Sequence, residues 1–334
     1  MAEKVSIIIP IFNREHVLQE ALDSVANQSH SDWECLLVDD GSTDDSVQVC
    51  KNQISKDHRF KLYHRKEFSQ NKGPSACRNI GIDHATGSFI IFLDSDDYLG
   101  EDCLKDRIAV IEANPEKDAW VFKMQEFNEK GLGKVCNIYP EEHTNEKYLQ
   151  MILKYRIPFS VTCPIWRKEV LKQLQGFDEH FVRLEDPDLH CRALMQGVKF
   201  HFDENTAADC FYRVDEDYKN RLFNESFRNL YLTSFQQFYH KYGQLCAGNK
   251  QYLSYLNHSI LLIFKDYVFD KKISGLEYFH LFLKEGKAQK ILSFKDRIFL
   301  HCIRFYQRLR LDTKKGTGYF KLRNATFKKL ALSS

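Results

Sequence analysis

Three carboxylates follow an apolar run in the stretch SFIIFLDSDDYLGED, which spans residues 88–102. Asp94, Asp96 and Asp97 carry like charges that repel one another unless something compensates for them. Residues i and i+2 of an extended chain point the same way, so Asp94 and Asp96 can aim at one point. Two converging carboxylates suit a hard divalent cation, Mn²⁺ or Mg²⁺, which takes other ligands from water and a substrate phosphate. The alternative is a solvated turn, because Asp also favours turns and helix N-termini.

A second acidic group opens the segment RLEDPDLHCRALMQG at residues 183–197. Glu185, Asp186 and Asp188 stand at the start of a predicted helix, where acids complement the helix dipole. The functional alternative is a general base that takes a proton from an attacking hydroxyl.

Two polar segments could contact a nucleotide. VDDGST at 38–43 is typical of a turn and helix start, and its functional interpretation is a carboxylate that accepts a hydrogen bond from an imide or ribose. NKGPSACRNIG at 71–81 joins a Gly-Pro loop to a helix start that carries Arg78, a combination that attracts phosphate but also fits a surface helix. No GxGxxG follows the first predicted strand, which argues against a nicotinamide dinucleotide enzyme.

Alternating strands and helices must position these groups. The apolar patterns predict strands at 4–10, 33–39, 59–65, 88–93 and 119–124, and helices at 14–28, 42–54, 74–85 and 101–114. Such apolar strands with helices between them indicate an α/β fold with a parallel sheet covered on both faces. The polar clusters follow the predicted strands, and ligands bind beyond the carboxyl ends of such strands.

The rest of the chain has a mixed and then a helical pattern. Up to about 215 it predicts helices near 145–155 and 167–175, a loop at RIPFSVTCPIW, and strands at VKFHFD and AADCFYRV. Beyond 218 the chain is aromatic and mostly helical. We therefore predict a catalytic domain at 1–217 and a helical C-terminal region at 218–334.

Composition limits the setting of the protein. The ten cysteines include no CxxC pair and several lie in apolar runs, which favours a reduced, cytoplasmic compartment. The N-terminus leads directly into a strand without a signal-peptide pattern, and no apolar run approaches the roughly 20 residues that span a bilayer. We therefore expect a protein that is not integral to a membrane.

Five motifs in order, VSIIIPIFNRE, LLVDDGSTDDS, NKGPSACRNIGIDHATGSFIIFLDSDD, GFDE and LEDPDLHCRAL, resemble a family 2 glycosyltransferase. The resemblance covers about 1–215. It implies the GT-A fold, a Rossmann-like fold of nucleotide-diphospho-sugar transferases. It also implies an inverting, metal-dependent enzyme that moves a hexosyl or N-acetylhexosaminyl group from a UDP-sugar to a glycan or lipid-linked acceptor. Such enzymes build bacterial surface polysaccharides.

The resemblance implies a role for residues in the nucleotide motifs. Pro10, Phe12 and Asp40 match positions that hold the uracil and ribose. Asn71 and Arg78 match positions beside the nucleotide.

The resemblance also implies roles for the acidic groups. Asp94 and Asp96 match the Asp-x-Asp motif, with Asp96 the more direct metal ligand, and Ser95 belongs to the predicted nucleotide-sugar site. Glu185 and Asp186 match the catalytic Glu-Asp pair, with Asp186 as the base. A bound Mn²⁺ or Mg²⁺ would neutralise charge on the departing diphosphate.

One departure from the family pattern concerns the metal. Many relatives carry a His after a Tyr-Arg pair, and FYRVDEDY places Asp215 there. Asp215 is predicted either to replace that ligand or to leave the third ligand missing. It also favours an alternative function, a catalytically silent nucleotide-sugar binding or scaffold protein. A nucleotidyltransferase would need a Gly-rich basic loop after the first strand, which PIFNREHV does not supply.

The C-terminal segment is strongly basic. Residues 284–334 hold 14 Lys and Arg against 3 Asp and Glu, although the net charge of the whole chain is only +2. FKDRIFLHCIRFYQRLRL at 294–311 predicts a helix with an apolar and a basic face. Such a helix either lies peripherally on anionic membrane, here the inner face, or packs on the catalytic domain or a second subunit. The aromatic helices also suggest a homodimer, and no recognition module supports nucleic-acid binding.

Overall fold

The structure, a computed structural model, describes residues 4–214 and 225–263 and the helical positions 294, 298, 301, 302 and 305. The chain divides into two compact units, the first comprising Met1–Leu149 with Ile157–Arg221 and the second Gln150–Arg156 with Leu222–Ser334. Asp215 and most of the basic segment 284–334 lie outside the described residues. The predicted division into 1–217 and 218–334 stays a prediction.

Eleven strands belong to the described part of the first unit. They are β1 (Val5–Ile11), β2 (Trp33–Asp39), β3 (Phe60–His64), β4 (Phe89–Phe92), β5 (Tyr98–Leu99), β6 (Ala119–Val121), β7 (Met124–Asn128), β8 (Gly131–Val135), β9 (Pro164–Arg167), β10 (Phe200–Phe202) and β11 (Cys210–Arg213). Seven of them form one sheet in the order β10-β6-β9-β4-β1-β2-β3.

The seven-stranded sheet is mainly parallel, as predicted. β1 pairs in parallel with both β2 and β4, and every residue of β1 and β2 is buried. Strands buried on both faces read as continuous apolar runs, which is why the sequence located them closely. The α/β prediction with helices flanking a mostly parallel sheet is therefore confirmed.

Strand β9 corrects one prediction, because the segment RIPFSVTCPIW was expected to be a loop. β9 lies between β4 and β6 and is antiparallel to both. It is four residues long and starts at Pro164, which is tolerated only at the first position of a strand or at an edge. Pairing with strands on both sides holds this short segment in the sheet.

A second sheet of four strands was also not predicted. Its order is β5-β11-β7-β8, and β7 and β8 form an antiparallel hairpin. The predicted strand 119–124 is divided between the sheets, since β6 ends at Val121 and β7 begins at Met124. All five residues of β8 are exposed at the outer edge of this sheet.

Nine α-helices are described. They are α1 (Leu18–Ala26), α2 (Ser46–Lys56), α3 (Pro74–His84), α4 (Cys103–Ala113), α5 (Asn145–Leu153), α6 (Lys168–Gln173), α7 (Glu185–Met195), α8 (Glu225–Leu245) and α9 (Lys250–Ile263). The packing of α3 on β1 is especially close, because a Cβ at Gly81 would lie 2.4 Å from Cγ2 of Ile8. This contact fixes α3, and with it Arg78, against the sheet.

The described part of the second unit is helical, as predicted. In α8 the side chains of Phe235, Tyr239 and Tyr242 are buried, and Leu256 is buried in α9. Tyr155 packs edge-on against Phe235, with ring centroids 5.6 Å apart. Among the described residues, no helix combines the length and apolar character needed to cross a membrane.

Candidate active site

Strand order reverses at the carboxyl edge of the seven-stranded sheet, and this place between the loops after β1 and β4 is here called the crevice. From β1 the chain continues to β2 and β3 on one side, whereas β4 pairs with β1 on the other. Such a reversal marks the ligand site of open α/β sheets. Phe12 follows β1 and is 52% exposed, whereas Pro10 is buried within the strand. Asp94 follows β4 with 39% of its side chain exposed.

Two loops beside this crevice are tied together by reciprocal hydrogen bonds. The Asn13 side chain accepts from the backbone N–H of Thr43 at 2.8 Å. Glu15 accepts from the N–H of Asp45 at 2.9 Å, and its own N–H donates to Asp44 at 3.1 Å. These bonds make the loops after β1 and β2 one pre-formed wall of the crevice.

Asp39 and Asp40, at the end of β2, organise neighbouring loops. Asp39 is buried and accepts two backbone N–H groups of the turn that follows it. One oxygen of Asp40 accepts from Nε of Arg65 at 2.6 Å and the other from the N–H of Gly73 at 2.9 Å. Each oxygen has a second lone pair, so Asp40 can still accept a hydrogen bond from a ligand.

Two residues that the sequence interpretation did not single out, Asn79 and Glu179, hold the GFDE loop (residues 176–179) in place. Glu179 accepts from Nδ2 of Asn71 at 2.7 Å and from Nδ2 of Asn79 at 2.9 Å. The side-chain oxygen Oδ1 of Asn79 in turn accepts from the backbone N–H of Phe177 at 2.8 Å. Gly176 has φ +62°, and a Cβ there would lie 2.3 Å from Asn79 Oδ1. Both Asn79 and Glu179 stand inside quoted motifs, which was the available signal.

A buried arginine joins the two acidic groups. Arg78 Nη2 donates to Asp94 at 2.6 Å, and its Nη1 lies 3.3 Å from Glu185 and 3.6 Å from Asp186. The guanidinium also lies over the ring of Phe177, 5.2 Å from the centroid. The structure therefore brings four predicted site residues into one charge cluster, here called the Arg78 cluster: Arg78, Asp94, Glu185 and Asp186.

Electrostatics in the Arg78 cluster favour a protonated carboxyl. Burial, together with the charges of Glu185 and Asp94, raises the pKa of Asp186 to about 8 despite the opposing Arg78. Burial alone would lower the pKa of Arg78, but its three acidic neighbours outweigh that effect and raise it. A carboxyl that titrates near neutral pH can act as a general base.

The nearby backbone fixes the position of the Asp186 carboxylate. Leu184, just before α7, adopts φ +66°, an uncommon conformation for a branched residue. Asp186 Oδ2 accepts from the N–H of Val161 at 3.0 Å, and about a fifth of its side chain remains exposed. Asp188 is instead fully buried and accepts from Arg192 Nε at 2.8 Å, so this third acid of the group is structural.

The acids after β4 also differ from one another. Asp97 is buried and accepts from the N–H of Arg213 at 3.0 Å, which ties the loop to β11. Ser95 is also buried. Asp96 lies nearer the surface, with Oδ2 at 3.5 Å from Nε of Arg14 and 40% of its side chain exposed. Burial and the charge of Asp94 raise the pKa of Asp96.

Asp94 and Asp96 could hold a divalent cation. Their donor atoms are carboxylate oxygens, which hard cations prefer, and a cation would relieve the repulsion that raises the pKa of Asp96. Within the described residues, no group of three or more His, Cys, Asp or Glu side chains is arranged to bind a metal. A cation held by Asp94 and Asp96 would take its remaining ligands from a substrate and water.

Comparison with protein families identifies a matching family model. The family model described as "Glycosyl transferase family 2" matches residues 6–175, just over half of the chain. The matched range contains the two crevice loops, Arg78, Asp94 and Asp96.

Three relatives show sequence similarity. An uncharacterized glycosyltransferase of Rickettsia felis is 37% identical over 183 residues, 53% of this chain and 27% of that protein. The poly(ribitol-phosphate) beta-glucosyltransferase of Bacillus spizizenii is 36% identical over 218 residues, 64% of this chain and 33% of that protein. The GalNAc(5)-diNAcBac-PP-undecaprenol beta-1,3-glucosyltransferase of Campylobacter jejuni is 34% identical over 155 residues, 43% of this chain and 48% of that protein. The matches thus span half or less of these relatives.

Two solved structures have a similar fold. Residues 1–349 of S. aureus TarS in complex with UDP-GlcNAc align with a TM-score of 0.66 and 21% identity, over 98% of this chain and 92% of that one. The mannosyltransferase PcManGT of Pyrobaculum calidifontis in complex with GDP-Man and Mn²⁺ aligns with a TM-score of 0.50 and 16% identity, over 99% of this chain and 87% of that one. At these identities the likeness concerns the fold, and it confirms the predicted GT-A architecture.

Proposed function

Because the chain belongs to glycosyl transferase family 2, we propose that it transfers a sugar from a UDP-sugar to a hydroxyl group in the synthesis of a cell-surface glycan. The observation that carries this proposal is the Arg78 cluster. Its acids come from two separate motifs, one after β4 and one opening α7, and meet at one guanidinium beside the crevice. The acid after β4 suits the donor diphosphate, and the acids that open α7 suit the acceptor hydroxyl.

The donor occupies the crevice after β1 and β4. Phe12 offers an exposed ring to the uracil, and Asp40 offers free lone pairs to the nucleoside. Asn71 borders the same side through its bond to Glu179. The UDP-GlcNAc complex of TarS, which shares the fold, supports a UDP-sugar donor. An N-acetylhexosaminyl or hexosyl group fits this proposal equally.

A divalent cation, Mn²⁺ or Mg²⁺, would be held by Asp94 and Asp96. When bound, it would supply positive charge against the diphosphate that leaves. The complex of PcManGT with Mn²⁺ supports this choice. Arg78 keeps Asp94 oriented and contributes a second positive charge at the same edge.

Asp186 is the base in this proposal. Its carboxylate takes the proton of the acceptor hydroxyl as that oxygen attacks the anomeric carbon, and Arg78, 3.6 Å away and also paired with Glu185, holds it beside the donor. The N–H of Val161 fixes the remaining oxygen of Asp186. Attack from the side opposite the leaving diphosphate inverts the anomeric centre.

The acceptor is a phosphate-rich polymer or a lipid-linked saccharide. The names of the Bacillus spizizenii and Campylobacter jejuni relatives support these two classes. A lipid-linked acceptor would place the enzyme at the inner face of the membrane. Flotation of the full chain and of a chain lacking 285–334 on anionic liposomes tests this placement, and equal recovery of both would contradict a membrane role for the tail.

The decisive experiment titrates UDP calorimetrically into the protein with Mn²⁺ and with EDTA, followed by mass spectrometry of products from a panel of UDP-sugars. Binding that requires both the metal and Asp96 supports the donor site. Asp96→Asn should abolish it, whereas Asp83→Asn, on the exposed face of α3, should not. No binding under any condition contradicts the proposal.

One observation keeps a second function open. Asp215 stands where many relatives carry a metal-binding His, which favours a silent nucleotide-sugar binding protein. Tight UDP binding without transfer to any added or lipid-extracted acceptor would support that alternative.

A further inference from the structure

Two of the arginines beside Asp94 and Asp96 are held very differently. A third, Arg213, donates from Nε to the backbone carbonyl of Asp96 at 3.0 Å. Arg78 is buried on α3 and contacts three carboxylates, so its position is fixed. Arg14 lies in the loop after β1 with 40% of its side chain exposed, and Asp96 is the carboxylate that it contacts. The distance from Arg14 Nε to Asp96 Oδ2 is 3.5 Å, against 2.6 Å from Arg78 to Asp94.

The backbone of Arg14 is nevertheless well fixed. Its N–H donates to Ser46 Oγ at 2.7 Å, and the loop is bonded to the segment after β2 through Asn13 and Thr43. A change at Arg14 therefore involves rotation of its side chain rather than movement of the loop.

We propose that Arg14 is a donor-binding residue that competes with the divalent cation for Asp96 and, once the cation is bound, turns to a phosphate oxygen of the donor. The guanidinium and a cation would use the same carboxylate, so each weakens binding of the other. Arg14 follows Phe12 by two residues in the loop after β1, and its Nε lies 3.5 Å from Asp96, so it stands at the edge where the proposed function places the diphosphate. A guanidinium released there can form a charge-assisted bond to phosphate.

The consequence is coupled binding of the cation and the nucleotide. Without nucleotide, the positive charge of Arg14 opposes the cation at Asp96. With a diphosphate present, the same charge has an anionic partner, and the two ligands favour each other. This inference rests on the proposed function, because it requires a nucleotide diphosphate and a cation at this edge.

The test measures Mn²⁺ binding by the loss of its free EPR signal, with and without saturating UDP. The variants are Arg14→Gln, Arg14→Lys and Asp96→Asn, with Arg59→Gln as the matched control. Arg59 is a partly exposed arginine of the same unit that pairs with Asp57 instead. Thermal melting checks that each variant is folded.

Arg14→Gln should bind Mn²⁺ about three- to fivefold more tightly than wild type without UDP, as expected for loss of an exposed ion pair. With saturating Mn²⁺ it should bind UDP about tenfold more weakly, because a charged bond to phosphate is lost. Arg14→Lys should fall between the two, and Arg59→Gln should match wild type.

The outcomes separate the inference from the proposed function. Equal or weaker Mn²⁺ binding by Arg14→Gln, while wild type binds both Mn²⁺ and UDP through Asp96, overturns the role of Arg14 and leaves the proposed function standing. Failure of wild type to bind Mn²⁺ with UDP present also overturns the role of Arg14, and failure to bind UDP with or without Mn²⁺ overturns the proposed function as well.

Discussion

Two buried arginines in the first unit differ in how their guanidinium groups are paired. Arg107, on α4, forms two hydrogen bonds to Asp209, at 2.6 and 2.8 Å, and a third to the carbonyl of Thr162 at 3.1 Å. Every nitrogen of that guanidinium has a partner. Arg78 instead shares its charge among three carboxylates, and its buried Nε finds no hydrogen-bond partner in the described part of the chain.

The difference separates a complete structural ion pair from a cluster in which acidic groups outnumber the positive charge. The Arg107–Asp209 pair is neutral and complete, and it joins α4 to the segment before β11. The Arg78 cluster has one positive charge against three carboxyl groups. Folding alone does not neutralise it, so a proton or a cation must.

The largest expected effect is on the rate of sugar transfer when the Arg78 cluster is changed. Asp186→Asn should lower the rate of sugar transfer about a thousandfold, as expected for loss of a general base. Its melting temperature at pH 7 should stay close to that of wild type, because a pKa of about 8 leaves Asp186 mostly protonated and uncharged there, as Asn is. Initial-rate assays and calorimetric melting measure both. Transfer at the wild-type rate would exclude Asp186 as the base.

Arg107→Met should instead lower stability, by about 3–5 kcal/mol, because it leaves Asp209 beside an apolar surface without its counter-ion. Urea unfolding measures this change. The folded fraction should retain its affinity for UDP, since Arg107 contacts none of the predicted site residues. A loss of UDP binding larger than the loss of folded protein would erase the distinction between the two arginines.

The pH dependence sharpens the comparison. The pKa of Asp186 is raised from 3.8 to about 8, chiefly by burial, so the native state holds this proton more tightly than the unfolded chain does. Its contribution to stability is therefore complete below pH 4 and is lost as the pH rises toward 8.

Activity should change in the opposite direction over the same range. The base acts only when deprotonated, so the rate should rise about tenfold per pH unit below the pKa and level off above it. Measurements of rate and melting temperature from pH 5.5 to 9 test whether activity rises while stability falls. Asp186→Asn should lose the stability slope, and a wild-type rate that falls with rising pH would contradict the assignment.

The smallest expected effect concerns Gly176, which packs against Asn79 close to Phe177 and Arg78. Gly176→Ala would force a side chain into a left-handed backbone position against Asn79, with a cost of about 1–3 kcal/mol in unfolding free energy. Asn79 also positions Phe177, whose ring lies under the Arg78 guanidinium. UDP affinity should therefore weaken together with stability. Gly197→Ala, also at positive φ but in open space, is the matched control.

The sequence located the parts of the fold that have strong local patterns. The strand predicted at 33–39 matches β2 residue for residue, because it is a central strand with an unbroken apolar run. The second sheet could not be predicted in this way. β5 has two residues, and β11 pairs with β5 and β7 rather than with a strand adjacent in sequence.

The candidate site was predictable as a set of residues but not as a network. The motifs pointed to Arg78, Asp94, Glu185 and Asp186, and the structure places these four together. The single arginine shared by both acid pairs depends on tertiary packing of α3, which no local spacing reveals. For the same reason Asp97, which seemed equivalent to its acidic neighbours, pairs with a backbone group of β11.

The sequence separations within the Arg78 cluster set the order in which it forms during synthesis. Arg78 and Asp94 are 16 residues apart, whereas Arg78 and Glu185 are 107 apart. A chain that emerges from its N-terminus can form the first contact well before α7 exists. A ribosome-bound chain that ends before residue 185 would therefore contain Arg78 and Asp94 but neither Glu185 nor Asp186. In the proposed function, the donor side of the site would thus form before its base is synthesised.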